Sequence, residues 1–431
     1  MERGVEGSAG TAPGRLFSII GGSAGNLVEW YDFYAYAAFA IYFAPEFFPS
    51  GDRTSELLGT AAIFAVGFFM RPLGAWIMGI YGDRHGRKAG LTLSLVLMCG
   101  GSLLVAVAPT HAMAGAWAPA ILLLARMLQG LSVGGEYGAS ATYLSEMATD
   151  KNRGFWASFQ YVTLIGGQLT ALVVALALGA LLTEAELQAW GWRIPFALGA
   201  LLALGVFAVR RRLAETEAFT AMKADRPASS LSRLWRDHPR EFLLVVVISA
   251  GGGLGFYAYT TYMQKFLVNT SGFARDTATQ VMTAALVVYM LAQPVFGAIS
   301  DRVGRKPMLL FFGLGGMIAT IPAFHLLSGV NDPVLAFAAI TGLLMLLSGY
   351  TAISGLIKAE LFPSHIRNLG VAFPYAIGNA LFGGTAEYAA LFAKSRGIES
   401  AFYWYVAIML AITSYAFWRL PETRTSALVG R

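Results

Sequence analysis

A short charged loop, used twice, limits what this chain can fold into more than any other feature. The first copy is Gly82-Asp83-Arg84-His85-Gly86-Arg87-Lys88, and the second is Ser300-Asp301-Arg302-Val303-Gly304-Arg305-Lys306-Pro307. Both carry the core D-R-x-G-R-K, both sit between long apolar stretches, and Asp83 and Asp301 are about half of the 431-residue chain apart. A charged loop that recurs at half the chain length, flanked by apolar segments each time, points to a duplicated membrane protein.

Composition supports this where it bears on class. Charged residues are 13% of the chain and hydrophobic residues 56%, with a mean hydropathy of +0.58. A soluble domain carries roughly twice that charge. The single cysteine, Cys99, lies in an apolar run, so a disulfide framework and thiolate metal spacing are both excluded. Residues 1–14 lack an apolar core and do not read as a cleaved signal peptide.

Apolar runs long enough for a hydrocarbon core of about 30 Å recur twelve times. Their limits are near 16–43, 56–81, 90–108, 117–144, 155–182, 194–210, 242–264, 278–299, 308–328, 333–357, 369–393 and 400–418. Paired glycines such as Gly134-Gly135 and Gly166-Gly167 allow close helix approach in lipid. The expected fold is an all-α membrane protein, because barrel strands would alternate over about ten residues. The expected division is a cytoplasmic N-terminus (1–15), a first six-helix bundle (16–210), a linker (211–241), a second bundle (242–418) and a cytoplasmic C-terminus (419–431).

With both termini in the cytoplasm, the inner segments hold 22 of the 31 Lys and Arg residues. The outer loops hold six: Arg53, Arg193, Lys265, Arg275, Lys394 and Arg396. That bias orients the chain, and it accounts for the net charge of +6 without a nucleic-acid partner. Trp30, Trp117, Trp190, Trp192 and Trp404 read mostly as interfacial anchors, with Trp30 alternatively lining a cavity beside Asp32.

Twelve spans, a polar central segment and the repeated D-R-x-G-R-K run resemble the major facilitator superfamily. Gly25-Asn26-Leu27-Val28-Glu29-Trp30-Tyr31-Asp32-Phe33 and Arg126-Met127-Leu128-Gln129-Gly130 through Gly138 resemble its metabolite:proton symporters. Members of that family carry 2-oxoglutarate, citrate, shikimate, or proline and betaine. Residues 158–168, 190–196 and 260–265 look most like its 2-oxoglutarate-carrying branch. The resemblance implies proton-coupled uptake of 2-oxoglutarate (alpha-ketoglutarate) or a related dicarboxylate by alternating access, in a bacterial inner membrane. A citrate or other organic-acid carrier is the alternative. A zwitterionic osmolyte carrier is less favoured, since the sequence stops about ten residues past the twelfth span. The implied partners are a small organic anion, protons and the lipid bilayer, for a functional monomer. No cofactor is expected beyond the proton gradient. A membrane enzyme is disfavoured, because no nucleophile–base pair or phosphate loop is visible.

An ionisable side chain within a span costs a few kcal/mol, so each one is a functional candidate. In the first span Asn26, Glu29, Asp32 and Tyr36 share a helical face. Asp32 and Arg126 are the expected proton-coupling pair, with Glu29 as competing carboxylate and Glu136, on the fourth helix with Arg126, as a further candidate; a static salt bridge is the structural alternative. Related symporters link an acid of the first helix to an arginine of the fourth, which favours the pairing. If an anionic substrate draws the arginine away, the carboxylate can take a proton.

Arg71, mid-span and with no acid within a turn, is the expected substrate ligand, because its planar fork binds a carboxylate bidentately. A second donor would come from Arg126, Gln160, Tyr161, Gln168, Tyr257, Tyr259, Gln264, Lys358 or Asn379. Gln160 and Gln168 share one side of the fifth helix, and Lys358 is expected rather to snorkel to the interface. Glu387 receives no role. Asp83, His85, Arg87, Asp301 and Arg305 are expected to form a cytoplasmic latch between the halves, with the aspartates accepting backbone N–H bonds at helix starts. Arg193, in W-G-W-R-I-P-F, is expected to be structural at the start of the sixth helix.

Overall fold

The computed structural model describes residues 12–85, 87–134, 137, 152–211, 231–363 and 366–426, with side chains for all of these except 12–25, 79–85, 87–92, 209–211, 368 and 425–426. It is almost entirely helical. The twelve passages are α1 (Ala12–Phe47), α2 (Arg53–His85), α3 (Arg87–Ala106), α4 (Trp117–Gly134), α5 (Phe159–Leu181), α6 (Ile194–Arg211), α7 (Pro239–Tyr259), α8 (Arg275–Val303), α9 (Arg305–Ser328), α10 (Pro333–Thr351), α11 (Arg367–Gly378) and α12 (Ser400–Arg419). Several continue beyond a local break. Arg153–Ala157 leads into α5, Thr261–Asn269 extends α7, Ser354–Glu360 extends α10 and Ala386–Ser395 extends α11. Among the described residues, nine helical segments are long and apolar enough to cross a membrane, and Leu93–Ala106 is a shorter apolar helix. In lipid nothing but the chain itself can satisfy backbone N–H and C=O groups, so such segments must be helices.

The packing repeats with a step of six. In the first half α1 packs on α5 and α6, α2 on α4, and α3 on α4 and α6. In the second, α7 packs on α11 and α12, α8 on α10, and α9 on α10 and α12. The halves meet along two seams, α5 against α8 and α2 against α11.

Glycine fixes the α2–α4 crossing. A Cβ at Gly130 would land on the Gly67 carbonyl oxygen, and one at Gly134 on the Arg71 carbonyl oxygen. Gly74 is held in the same way against Leu131. These close approaches put Arg71 and Arg126, one on each helix, beside the same aromatic ring. Gly199 of α6 does the same for Asp32: a Cβ there would sit 2.5 Å from Asp32 Oδ1.

The second copy of the charged loop is a helix junction. Gly304, at φ 109°, ends α8 in a conformation that L side chains resist. The exposed N–H groups of Arg305 and Lys306 then donate to the Glu422 carboxylate at 2.9 and 3.1 Å, satisfying the start of α9. α11 ends differently. Pro374 removes one N–H from its interior, and five residues later Asn379–Gly383 forms a π-turn, with the Gly384 N–H donating to the Asn379 carbonyl at 2.7 Å. α7 breaks at Thr260, whose hydroxyl turns back to the Phe256 carbonyl at 2.6 Å.

Two tryptophans depart from the anchor expectation. Trp30 and Trp192 are buried in the core, whereas Trp117, Trp190 and Trp404 are exposed on the helix surface. Both buried rings have aromatic neighbours within the bundle: Trp192 packs on Phe43 and Phe47, and Trp30 stacks on Tyr34. Lys265, counted above with the outer loops, is also buried; it lies in the helix extending α7 and pairs with Glu387.

Candidate functional site

The centre of the molecule is an aromatic shell around buried charge. Asp32, on α1, is fully buried. Its carboxylate accepts from the Ser102 hydroxyl of α3 and from the Gln129 amide of α4, both at 2.5 Å. Gln129 in turn accepts from Arg126 Nη1 at 2.7 Å through its own oxygen. The expected Asp32–Arg126 pair is therefore a three-member relay with Gln129 between its ends. Gln129 lies three residues after Arg126, on the same helical face, which is why one side chain can join them.

The remaining guanidinium nitrogens of Arg126, Nε and Nη2, have no hydrogen-bond partner among the described residues. Its carbon sits 4.3 Å from the Phe33 ring centre and 4.5 Å from that of Tyr36. Arg71 approaches the same Phe33 ring at 4.2 Å, and also faces Phe68 at 3.8 Å and Trp30 at 5.1 Å. Among the described residues no Arg71 nitrogen has a hydrogen-bond partner of good geometry; the neutral Tyr257 hydroxyl interacts with the guanidinium, and the side chain is only 2% exposed. Phe33 thus serves two arginines. Ring quadrupoles offset part of the cost of burying the cations, but they supply no hydrogen-bond acceptor. An unpaired buried guanidinium with its fork open is arranged to receive an anion.

Across the α2–α11 seam the second half contributes more aromatic and polar groups. Tyr257 of α7 meets Phe68 edge to face at 4.9 Å. Tyr137 stacks on Tyr375 of α11 with centroids 3.5 Å apart and planes at 7°. Lys358 is fully buried beside this pair, rather than snorkelling to the interface. It donates to the Ser354 hydroxyl at 2.8 Å and to the Tyr137 hydroxyl at 3.1 Å, with the Tyr375 ring centre 4.3 Å away. Snorkelling is ruled out by position: the helix Ser354–Glu360 is buried along its whole length.

The other candidates divide. Gln160 donates to the Tyr137 carbonyl at 3.4 Å, and Tyr161 packs on Phe256, so both line the central region. The Asn379 side-chain oxygen is buried without a hydrogen-bond partner among the described residues and faces Gly253 and Gly383. Gln168 and Gln264 share a small cavity with Tyr34, Thr260 and Thr261; Gln264 donates to Thr279 at 3.0 Å, while the Gln168 oxygen is unpartnered. Tyr259 is engaged with Thr320, away from the cations. Glu29 is buried on α1. Asn26 is tied to Thr163 and Trp30, and Tyr36 to the Thr60 carbonyl. Arg193 closes the end of α3, donating to the Ala106 and Ala108 carbonyls at 3.0 and 2.6 Å. Glu136 and the side chains of Asp83, His85 and Arg87 lie outside the described residues.

The second loop copy ties the halves together. Asp301 of α8 accepts the Gly154 and Phe155 N–H groups at 2.8 and 2.9 Å, at the start of the segment leading into α5. Arg305 donates to Asp301 at 2.9 Å and to Ser300 at 2.8 Å, and its Nε lies 3.8 Å from Glu360. Glu360 also accepts from Thr423. Glu360 and Glu422 were not singled out from sequence, because an acid at a helix end is too common to stand out.

The family model described as "Sugar (and other) transporter" matches twice, over residues 18–230 and 217–429. The chain belongs to the sugar (and other) transporter family. It is a multi-pass membrane transporter with the major facilitator fold. This transporter is 52% identical over 398 residues to the alpha-ketoglutarate permease of Escherichia coli (strain K12), covering 92% of each chain. It is 34% identical to a citrate-proton symporter of Salmonella typhi, covering 95% of each. In structure it is similar to a major facilitator superfamily proton:xylose symporter, with a TM-score of 0.78 at 18% identity over 97% of this chain and 98% of the other. The Escherichia coli fucose:proton symporter gives a TM-score of 0.62 at 16% identity, covering 91% of this chain and 97% of that one. At these identities the solved structures speak to the fold alone.

Proposed function

We propose that the protein takes up 2-oxoglutarate, or a closely related dicarboxylate, together with protons by alternating access. One observation carries the reading: a buried Arg71 that no carboxylate pairs with among the described residues, placed beside a second arginine that is relayed to a buried carboxylate. The first arginine recognises the anion, and the second joins anion binding to proton binding. The 52% identity to an alpha-ketoglutarate permease supports that choice of substrate.

In this scheme a substrate carboxylate enters between Arg71 and Arg126 and draws Arg126 away from Gln129. Gln129 then loses its cationic partner, and Asp32 is left with Ser102 and an amide that can turn its oxygen inward. A proton on Asp32 can donate to that oxygen, so anion and proton load together. The uptake is driven by the proton gradient, without a cofactor. The end bearing the second charged loop faces the cytoplasm, with both chain termini, and the bilayer is the bacterial inner membrane; the bias of basic residues supports this orientation. Six passages on either side of the polar segment 211–241 form the two rocking bundles, which work as a monomer.

The test is uptake of labelled 2-oxoglutarate into proteoliposomes, with and without an inward proton gradient. Wild type accumulates substrate under the gradient, Arg71→Ala does not, and Asp32→Asn exchanges substrate without accumulating it. Wild-type uptake that ignores the gradient rules out symport. Accumulation of citrate but not 2-oxoglutarate moves the protein to the citrate carriers.

A further inference from the structure

Lys358 carries a buried charge-bearing group that the scheme above does not use. Among the described residues its partners are neutral: the hydroxyls of Ser354 and Tyr137, and the rings of Tyr137, Tyr350 and Tyr375 at 5.3, 5.5 and 4.3 Å. No carboxylate pairs with it there, although burying an ammonium without one is costly. Three aromatic rings around one nitrogen suit a cation held for an incoming anion. The bond to Tyr137 also matters. Tyr137 follows α4 in the first half, whereas Lys358 belongs to the extension of α10 in the second. The lysine therefore reaches across the seam already, to a hydroxyl that a carboxylate can replace.

Arg71 stands on the first-half side of the α2–α11 seam, over Phe68, which meets Tyr257 of the second half. Lys358 stands on the second-half side, against Tyr375 of α11, the helix that packs on α2. One half thus presents a planar fork and the other a point charge, on either side of one seam.

We infer that Lys358 binds the second carboxylate of the substrate, so that one dianion bridges Arg71 in the first half and Lys358 in the second. This rests on the dicarboxylate reading above and makes it specific. Arg71 supplies affinity for any carboxylate, and Lys358 supplies preference for a molecule with two. A monocarboxylate satisfies one half alone and leaves Lys358 on Tyr137. A dicarboxylate satisfies both and pulls the halves together, which ties occlusion to the correct substrate.

The experiment compares binding of 2-oxoglutarate with that of 2-oxopentanoate, which has the same five-carbon chain and keto group but a single carboxylate. Each is measured by calorimetry on purified, detergent-solubilised full-length protein. Wild type binds the dicarboxylate more tightly by about 10- to 100-fold, the range expected for one charge-assisted contact. Lys358→Met loses that preference while its affinity for 2-oxopentanoate stays within about two-fold of wild type, which also reports that the site has folded. Lys358→Arg restores the preference. Arg71→Ala weakens both ligands. A purely structural lysine, holding Tyr137 in place, weakens both ligands alike in Lys358→Met, and that outcome overturns the inference while leaving the transport reading intact. Retention of the full preference in Lys358→Met overturns it too. If wild type binds no dicarboxylate at all, the transport reading fails first and takes this one with it.

Discussion

Arg71 and Arg126 share one ring, Phe33, yet their surroundings assign them different work. Arg126 is held at one nitrogen by Gln129 and so by Asp32, whereas among the described residues Arg71 is held by aromatic faces and the neutral Tyr257 hydroxyl. Arg71→Lys keeps the charge and removes the fork, leaving a point charge too short to place two donors on a carboxylate. Its expected effect is a KM for 2-oxoglutarate raised about ten-fold or more in proteoliposome uptake, with little change in thermal stability. Gln129→Leu cuts the relay at its middle and leaves Asp32 with Ser102 alone. Gradient-driven accumulation should fall at least ten-fold while Arg71-dependent substrate binding survives; equal loss of binding and accumulation would show that Gln129 merely supports the site. Asp32, Arg71 and Arg126 were legible in the sequence because an ionisable residue stands out in an apolar span. Gln129, Ser102 and the Tyr137–Tyr375 stack were not, since amides, hydroxyls and aromatic rings are ordinary inside helical membrane proteins. Lys358 was misplaced for a related reason: sequence marks its distance from a helix end, not which helices close over it.

The helices were legible from length and hydropathy, and their twelve-fold count needed nothing else. Where they break was not. α7 breaks at Thr260 without a proline, and the π-turn after α11 begins five residues beyond Pro374. Hydropathy is blind to both, since the residues at each break are as apolar or as small as those around them. Glycine pairs did announce close crossings, though not which helices cross. The α2–α4 contact is the tightest test of that packing. Gly130→Ala places a methyl on the Gly67 carbonyl oxygen, so backbone rather than a flexible side chain must yield. Overpacking of this kind costs about 1–3 kcal/mol, and the melting temperature in detergent should fall by several degrees. Gly100→Ala in α3, where a Cβ meets nothing within 4 Å, is the control and should match or exceed wild type, because alanine favours helix. Equal melting of both variants would mean that the crossing has slack.

At the scale of the whole molecule the two ends are closed by unequal means. At the end bearing the second charged loop, Asp301 accepts two backbone N–H bonds from the other half, and Gly154 is packed against Gly297 and Ser300 with no room for a side chain. At the opposite end, among the described residues, Arg275 pairs with Glu184 across the halves, and the glutamate side chain is 64% exposed. A wet pair of that kind is worth little and weakens with salt, whereas a carboxylate capping a helix start contributes about 1–2 kcal/mol. The empty protein should therefore open at the Glu184 end more readily than at the Asp301 end; in the orientation proposed above, that presents the substrate site outward first. Spin labels in a Cys99→Ser background report this directly: a pair at Met113 and Ile398 for the outer end, and at Trp156 and Trp235 for the inner. The outer distances should be the broader, and should broaden further as ionic strength rises. Asp301→Ala should raise the long-distance inner population about 5- to 30-fold, the ratio that corresponds to losing the cap. An inner distribution unmoved by Asp301→Ala would assign closure to the Gly154–Gly297 contact instead, and Gly154→Ala would then be the variant that opens it.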